Sequence, residues 1–155
     1  MNSESDTTAA IRETAYRLLS RREHSEVEMS RKLCSRRFDP AQVEQVIQEL
    51  VYQRHLSDER FTESFVRDRY TRGQGPAKIS RDLLTRGIDD SLASRYLSVA
   101  GHDWSNLAIR CRTKKFGDKS PGDFREWARQ ARFLQGRGFT TDQVREAMAI
   151  DALNE

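Results

Sequence analysis

Three histidines (His24, His55, His102) and two cysteines (Cys34, Cys111) are the residues of this chain best suited to metal binding or nucleophilic chemistry. Their spacing supports neither. A zinc site draws on closely spaced Cys or His pairs, and a general base needs a nucleophile and an orienting carboxylate within reach. The histidines are scattered near helix ends, and the cysteines join no CxxC or Cys/His cluster, so they read as ordinary reduced thiols. Arg72-Gly-Gln-Gly75 is glycine-rich but follows a helix instead of a strand. It also lacks the Lys-Ser/Thr of a phosphate loop, so it reads as a turn. Aromatic residues are 8% of the chain and fall mostly on apolar helix faces, which argues against a dedicated base-stacking platform. No catalytic residue, metal or cofactor is expected, and the chain is read as a binding protein, not an enzyme.

Positive charge is the feature left over. Residues 110–137 hold nine basic residues: Arg110, Arg112, Lys114, Lys115, Lys119, Arg125, Arg129, Arg132 and Arg137. Against them stand Asp118, Asp123 and Glu126, a local balance of +6. Arg125, Arg129 and Arg132 follow i, i+4, i+7 spacing and form a stripe beside an apolar face made of Phe124, Trp127, Ala128, Ala131 and Leu134. Lys114 and Lys115 lie near the end of the preceding helix. Earlier in the chain, Lys78 and Arg81 point away from the apolar Ile79 and Leu83. These seven cations are the candidate contacts for phosphates or an acidic protein surface. Arg69 differs, because it shares an arc with Phe61, Phe65, Val66 and Tyr70 and is read as a partly buried, paired arginine.

The elements that position these residues repeat. Glu28–Asp39 aligns with Lys78–Asp89 at an offset of 50, with Ser30/Ser80, Arg31/Arg81, Leu33/Leu83, Arg36/Arg86 and Asp39/Asp89 identical. A third copy follows 51 residues on, where Arg137-Gly-Phe139 answers Arg86-Gly-Ile88. A fixed period of this length marks a helical repeat array. Gly87 and Gly138 supply the left-handed residue that ends one helix, and Asp39, Asp89 and Thr140 cap the next. Phe38 with Val43, and Phe139 with Val144, have the spacing of hydrophobic staples. Arg37 holds the glycine position in the first copy, so it must take a left-handed φ unless that helix ends differently. Ser25-Glu-Val-Glu28 is a capping box, and Gly75-Pro76 and Ser120-Pro121 are read as openings of the second helices of repeats two and three. Val43, Val46, Ile47, Leu50 and Val51 form one apolar face. The pattern predicts helices over 7–22, 25–36, 40–54, 58–72, 76–86, 89–99, 103–116, 121–136 and 140–150, with no strand.

The expected fold is therefore all-α, three tandem helix-turn-helix-like repeats forming an elongated curved array. The expected divisions are a flexible N-terminus at 1–6 and repeats at 7–55, 56–100 and 101–152. Hydrophobic residues are 36% and charged residues 33%, a lean core under a charged surface that suits small stacked units. The net charge is only +3, so composition alone does not establish an acidic partner. No apolar run approaches the roughly 18 residues of a membrane span. Met1–Thr8 is polar and slightly acidic, unlike a secretory signal, and the expected compartment is the cytoplasm.

The middle repeat resembles the RecX family of recombination regulators. The resemblance lies in His55-Leu-Ser-Asp-Glu-Arg-Phe61, Phe65-Val66, Arg69, Gly75-Pro-Ala-Lys-Ile79 and Leu83 through Arg86-Gly87-Ile88. Arg137-Gly138-Phe139 and the first capping box resemble the flanking repeats, so the likeness covers roughly residues 9–150. The resemblance implies a protein that binds the filament formed by the RecA recombinase on single-stranded DNA, lies in its groove and limits its growth. Recombinase ATP hydrolysis and strand exchange would fall, tempering homologous recombination and the SOS response. It also implies RecA and its filament as partners, single- or double-stranded DNA as a further one, and an expected monomer. Two other readings stay open. A DNA-binding transcription regulator would need a recognition helix with base-reading residues, yet the third helices are short and apolar on one side. A protein-interaction scaffold without nucleic-acid contact would leave the +6 stretch unexplained.

Overall fold

The computed structural model describes residues 2–99 and 101–149. Among the described residues there are nine α-helices and no strand: α1 (Asn2–Leu19), α2 (Glu26–Ser35), α3 (Pro40–Tyr52), α4 (Asp58–Thr71), α5 (Pro76–Leu84), α6 (Asp90–Leu97), α7 (Trp104–Phe116), α8 (Phe124–Gly136) and α9 (Thr141–Ala149). They form three tandem three-helix repeats, α1–α3, α4–α6 and α7–α9. The chain separates into two compact units, residues 1–64 with 83–92 and residues 65–82 with 93–155, so the middle repeat is shared between them.

Each unit has its own core. In the first, Ile11 and Ala15 of α1, Met29 and Leu33 of α2, and Val43, Val46, Ile47 and Leu50 of α3 are buried together with Leu56. Their i, i+3, i+4 spacing is what places them on one stripe per helix. In the second, Leu107 and Ala108 of α7, Ala131 and Leu134 of α8, and Val144, Ala147 and Met148 of α9 enclose Phe139. Each fully buried Leu, Ile, Val or Met adds roughly 1.5–3 kcal/mol by leaving water.

The helix ends follow the local chemistry. Ser25 Oγ accepts from Glu28 N–H at 3.0 Å, and Ser25 N–H donates back to the Glu28 carboxylate at 3.2 Å, a closed capping box. Asp39 and Asp89 accept from the amides of Gln42 and Leu92 at 3.3 and 2.9 Å. Thr140 accepts from Gln143 N–H while the Gln143 side chain accepts from Thr140 N–H, a second reciprocal box. Gly87 and Gly138 hold φ of +78° and +97°, and Arg37 takes the same turn at +65° despite its Cβ.

Three expectations need correction. Helix α1 runs from Asn2 to Leu19, where the pattern predicts 7–22. No breaker stands before Ala9, and Glu4 in the first turn complements the helix dipole. Helix α8 begins at Phe124, not at Pro121, because Asp123 caps it through Glu126 N–H at 2.8 Å and Gly122 separates that cap from the proline. Helix α3 stops at Tyr52 because Arg54 turns left-handed at φ +62°, with His55 N–H closing onto the Leu50 carbonyl at 2.9 Å. Residue 1, residue 100 and residues 150–152 of the expected divisions lie outside the described residues.

One docking pattern occurs in both units. In the first, the Arg86-Gly87 turn seats on the start of α2. Ser25 Oγ donates to the Arg86 carbonyl at 2.8 Å, and a Cβ on Gly87 would collide with the Val27 side chain. In the second, the Arg137-Gly138 turn seats on the start of α5. Gly75 N–H donates to the Arg137 carbonyl at 2.8 Å and Ala77 N–H to the Gly138 carbonyl at 3.0 Å. A Cβ on Gly138 would meet Lys78, and a Cβ on Gly75 would meet the Gly138 carbonyl. The turn of one repeat thus supplies acceptors at the helix start of the repeat before it, where amides otherwise lack partners.

Candidate functional site

The histidines and cysteines are absorbed by packing. Buried His24 has Nε2 2.8 Å from Lys32 Nζ and Nδ1 3.1 Å from the Arg22 carbonyl. Burial, with Arg22 and Lys32 nearby, holds its pKa below the ordinary 6.5. His55 meets the Tyr16 hydroxyl at 3.0 Å, and His102 packs on the rings of Tyr70 and Trp104. Among the described residues no group of three or more His, Cys, Asp or Glu is placed to hold a metal ion. No helix there is long and apolar enough to cross a membrane.

The candidate cations divide by position. Arg125 and Arg132 are exposed on α8, and among the described residues neither has an ion-pair partner. Arg129 sits on the same face but pairs with Glu126 at 3.3 Å and lies over the Phe116 ring at 5.3 Å. Such an exposed i, i+3 pair contributes about 0–1 kcal/mol, too little to hold Arg129 from a polyanion. Lys78 is half-buried, with its backbone and Cβ against Gly138, so part of it belongs to the docking pattern. Arg81 is exposed. Arg69 is partly buried as expected, with its guanidinium 4.6 Å from the Phe65 ring centre and 3.8 Å from the Asp68 carboxylate.

Lys114 and Lys115, exposed in the last turn of α7, join cations that lie far apart in sequence. Around a cleft of about 410 Å³ stand Arg72, from the turn after α4, Arg110, Lys114 and Lys115 of α7, and Arg137, which follows α8. Leu107, Cys111 and Phe133 form its apolar part, Thr71 and Gly73 complete it, and among the described residues no carboxylate lines it. Lys115 Nζ and Arg137 Cζ lie 5.8 and 5.6 Å from the Phe133 ring centre, and Phe116 meets Phe133 edge-on at 5.3 Å. Aromatic rings attract cations, so the Phe133 ring helps hold Lys115 and Arg137 near one another. Burial pushes the Cys111 thiol up, while Arg137, Arg110 and Lys114 pull it the other way. Arg72 is the one of the five paired with a carboxylate among the described residues, to exposed Asp68 at 3.3 Å, and Arg110 reaches the Tyr70 hydroxyl at 3.5 Å.

Two sequence expectations change here. Arg112, one of the nine counted cations, is 2% exposed; its Nε donates to Gln130 Oε1 at 2.9 Å and its Nη2 to the Lys119 carbonyl at 3.1 Å. It holds the loop after α7 onto α8 and is no part of a binding surface. Phe124 and Trp127, expected on the apolar face, are 80% and 38% exposed and stack at 6.0 Å with ring planes 12° apart. The late start of α8 puts them on its first turn, away from the core that begins at Ala131. Sequence reasoning also missed Arg72, taken as part of a plain turn. The signal available for the cleft was Arg110 and Lys114 at i, i+4, a like-charge pair that costs a helix stability.

Three-helix repeats, two of them with an Arg-Gly turn between their second and third helices, and an exposed basic face define a helical-repeat protein with a cationic surface. Residues 12–50, 57–97 and 105–148 match, in order, the family models for RecX, first, second and third three-helix domain. "Regulatory protein RecX" of Halorhodospira halophila is 46% identical, over 90% of this chain and 87% of its own length. The same-named protein of Pseudomonas syringae pv. tomato is 42% identical over 90% of each. A crystal structure of RecX from Lactobacillus salivarius shares the fold at TM-score 0.79 and 20% identity, over 97% of this chain and 98% of that one. The chain belongs to the RecX family.

Proposed function

We propose that this chain regulates the RecA recombinase by binding the filament that RecA forms on single-stranded DNA. It limits filament growth and lowers ATP hydrolysis and strand exchange, moderating homologous recombination and the SOS response. It does so in the cytoplasm, as a monomer and without catalysis of its own. The observation that carries this reading is family membership across three successive domains, among relatives named as regulatory proteins.

The physics of the surface supports it. Arg125, Arg129, Arg132, Lys114 and Lys115 offer charge to a nucleoprotein whose DNA is anionic, and Lys78 and Arg81 add to it from the middle repeat. A regulator shifts filament assembly only through different affinities for assembled and free recombinase subunits. A surface that contacts DNA and recombinase together has that property, because both occur side by side only in the filament.

The test is to titrate the chain into RecA filaments on single-stranded DNA and follow ATP hydrolysis and filament length. Both should fall with added chain. Changing Arg125, Arg129 and Arg132 together to Glu should weaken inhibition at least about tenfold at low salt, with helicity kept. A folded triple variant that inhibits like the parent moves the contact surface to Lys78 and Arg81. A parent chain with no effect on the filament overturns the reading.

A further inference from the structure

Five cations around one cleft, with no acid in its lining among the described residues, is a costly arrangement for a fold. Elsewhere this chain matches its arginines to carboxylates: Arg12 with Glu49, Arg17 with Glu13, Arg22 with Glu28 and Arg60 with Glu23. At the cleft, Lys114, Lys115 and Arg137 have no ion-pair partner among the described residues. Concentrated like charge destabilises the compact state and is relieved by a polyanion.

We infer that the cleft bounded by Arg72, Arg110, Lys114, Lys115 and Arg137 seats the backbone of a single nucleic-acid strand, with a sugar or base lying against Phe133. The inference deepens the regulatory reading by naming the DNA phosphate as the group this surface takes. The cleft has the two parts such a strand requires. Three guanidinium groups suit phosphate oxygens, since each can donate two parallel hydrogen bonds, and the lysines add flexible point charges. The Leu107–Cys111–Phe133 floor offers apolar surface, and nucleic-acid strands present a ring face beside every phosphate. At about 410 Å³ the space exceeds what a lone phosphate fills. An acidic protein segment offers charge without that ring face, so the mixed lining favours the strand. The positive φ of Gly73 shapes the rim, where a Cβ would stand 2.9 Å from Cys111 Sγ.

The experiment uses the full chain and a fluorescent oligodeoxythymidylate with no recombinase present, read by anisotropy across a salt series. Arg110→Gln with Lys114→Gln should weaken binding about tenfold or more and reduce the salt slope by about 1.4, from roughly 0.7 per phosphate contact. Arg72→Gln with Lys115→Gln should behave alike and covers the case of a first pair that folds poorly. Arg17→Gln with Arg21→Gln removes the same charge far from the cleft in sequence and should change binding less than about twofold. Equal losses from the cleft and remote pairs would overturn the inference, as would pyrophosphate competing as well as the strand on a per-phosphate basis. Cleft variants that bind the strand like the parent but lose DNA-free RecA would reassign the cleft to an acidic protein, and that also overturns it. Failure here leaves recombinase inhibition by the parent standing. A parent that binds strands through the cleft yet does not inhibit RecA overturns the regulatory reading instead.

Discussion

The two Arg-Gly docking junctions use the same acceptor and different donors. At the first, the side chain of Ser25 reaches the Arg86 carbonyl, and Glu28 beneath it is held by Arg22 at 2.9 Å and Arg86 at 3.9 Å. At the second, the backbone amide of Gly75 reaches the Arg137 carbonyl directly, and Lys78 stands where the repeat offset puts Glu28 in the first. Removing the side chain at residue 75 lets two backbones meet, and with Lys78 in place of the acid the Arg137 guanidinium has no carboxylate partner among the described residues. The first junction neutralises its own charge. The second sits in the unit that also holds the cation-lined cleft, so the same packing device is compatible with either electrostatic outcome.

This difference sets an order of sensitivity. A Cβ on Gly138 would meet the Lys78 backbone nitrogen at 2.8 Å as well as its Cβ, and backbone cannot rotate away. A Cβ on Gly87 has its nearest contacts with the Val27 side chain, whose Cγ atoms can rotate although its Cβ, at 2.8 Å, moves only with the helix. Both positions carry positive φ, which a β-branched residue tolerates poorly. Gly138→Val should therefore cost about 3 kcal/mol or more and Gly87→Val about 2 kcal/mol, combining backbone strain with overpacking. Urea unfolding followed by circular dichroism checks both. Equal costs would mean that the backbone contact at the second junction adds nothing.

The repeat and its turns were legible because they depend on local chemistry. Gly87, Gly138, Asp39, Asp89 and Thr140 act within four residues of where they stand, and the apolar stripes obey the helical period. Arg37 could be placed in the left-handed turn only by alignment with the other copies. What was not legible depended on long-range geometry. Arg72 reaches the cleft only because the turn after α4 is placed against α7, and no spacing rule links residue 72 to residue 114. Arg112 looked like its neighbours in the basic run until Gln130 and the Lys119 carbonyl were placed around it. Phe124 and Trp127 fit the apolar period of α8, yet a helix's first turn can project past the core its later turns build.

The first junction also carries a pH dependence that has no counterpart described at the second. His24 is held neutral, with its pKa below 6.5, mainly by burial and also by Arg22 and Lys32. A depressed pKa gives stability that is present above 6.5 and lost as pH falls toward the lowered value. Glu28, held below the ordinary 4.5 by hydrogen bonds from Arg22 and Ser25 that outweigh its burial, works in the same direction at lower pH. Glu26 opposes them, since burial and Asp58 raise its pKa and protonation relieves it above 4.5. A His24→Gln variant isolates the histidine. Between about pH 7 and pH 5 the parent's melting temperature should fall more than the variant's. Parallel curves would show that protonating His24 costs the fold nothing.

The smallest effect expected is at Arg37, where the first copy of the turn lacks its glycine. Arg37 is exposed at φ +65°, and its amide donates to the Cys34 carbonyl at 3.0 Å, as Gly87 does to Leu84 at 3.1 Å. Two contributions act on Arg37→Gly. Relief of the left-handed strain stabilises the folded chain by about 1–2 kcal/mol. The greater freedom of glycine in the unfolded chain takes back about 0.5–1 kcal/mol. The net is a gain of about 0–1.5 kcal/mol, opposite in sign to the glycine replacements at Gly87 and Gly138. Arg37→Ala separates strain from side-chain contact, because alanine keeps the Cβ and should leave stability within about 0.5 kcal/mol of the parent. A loss in the glycine variant alone would show that unfolded-state freedom outweighs the strain. A loss in both variants would mean that the Arg37 side chain, not its backbone, is what the first turn depends on.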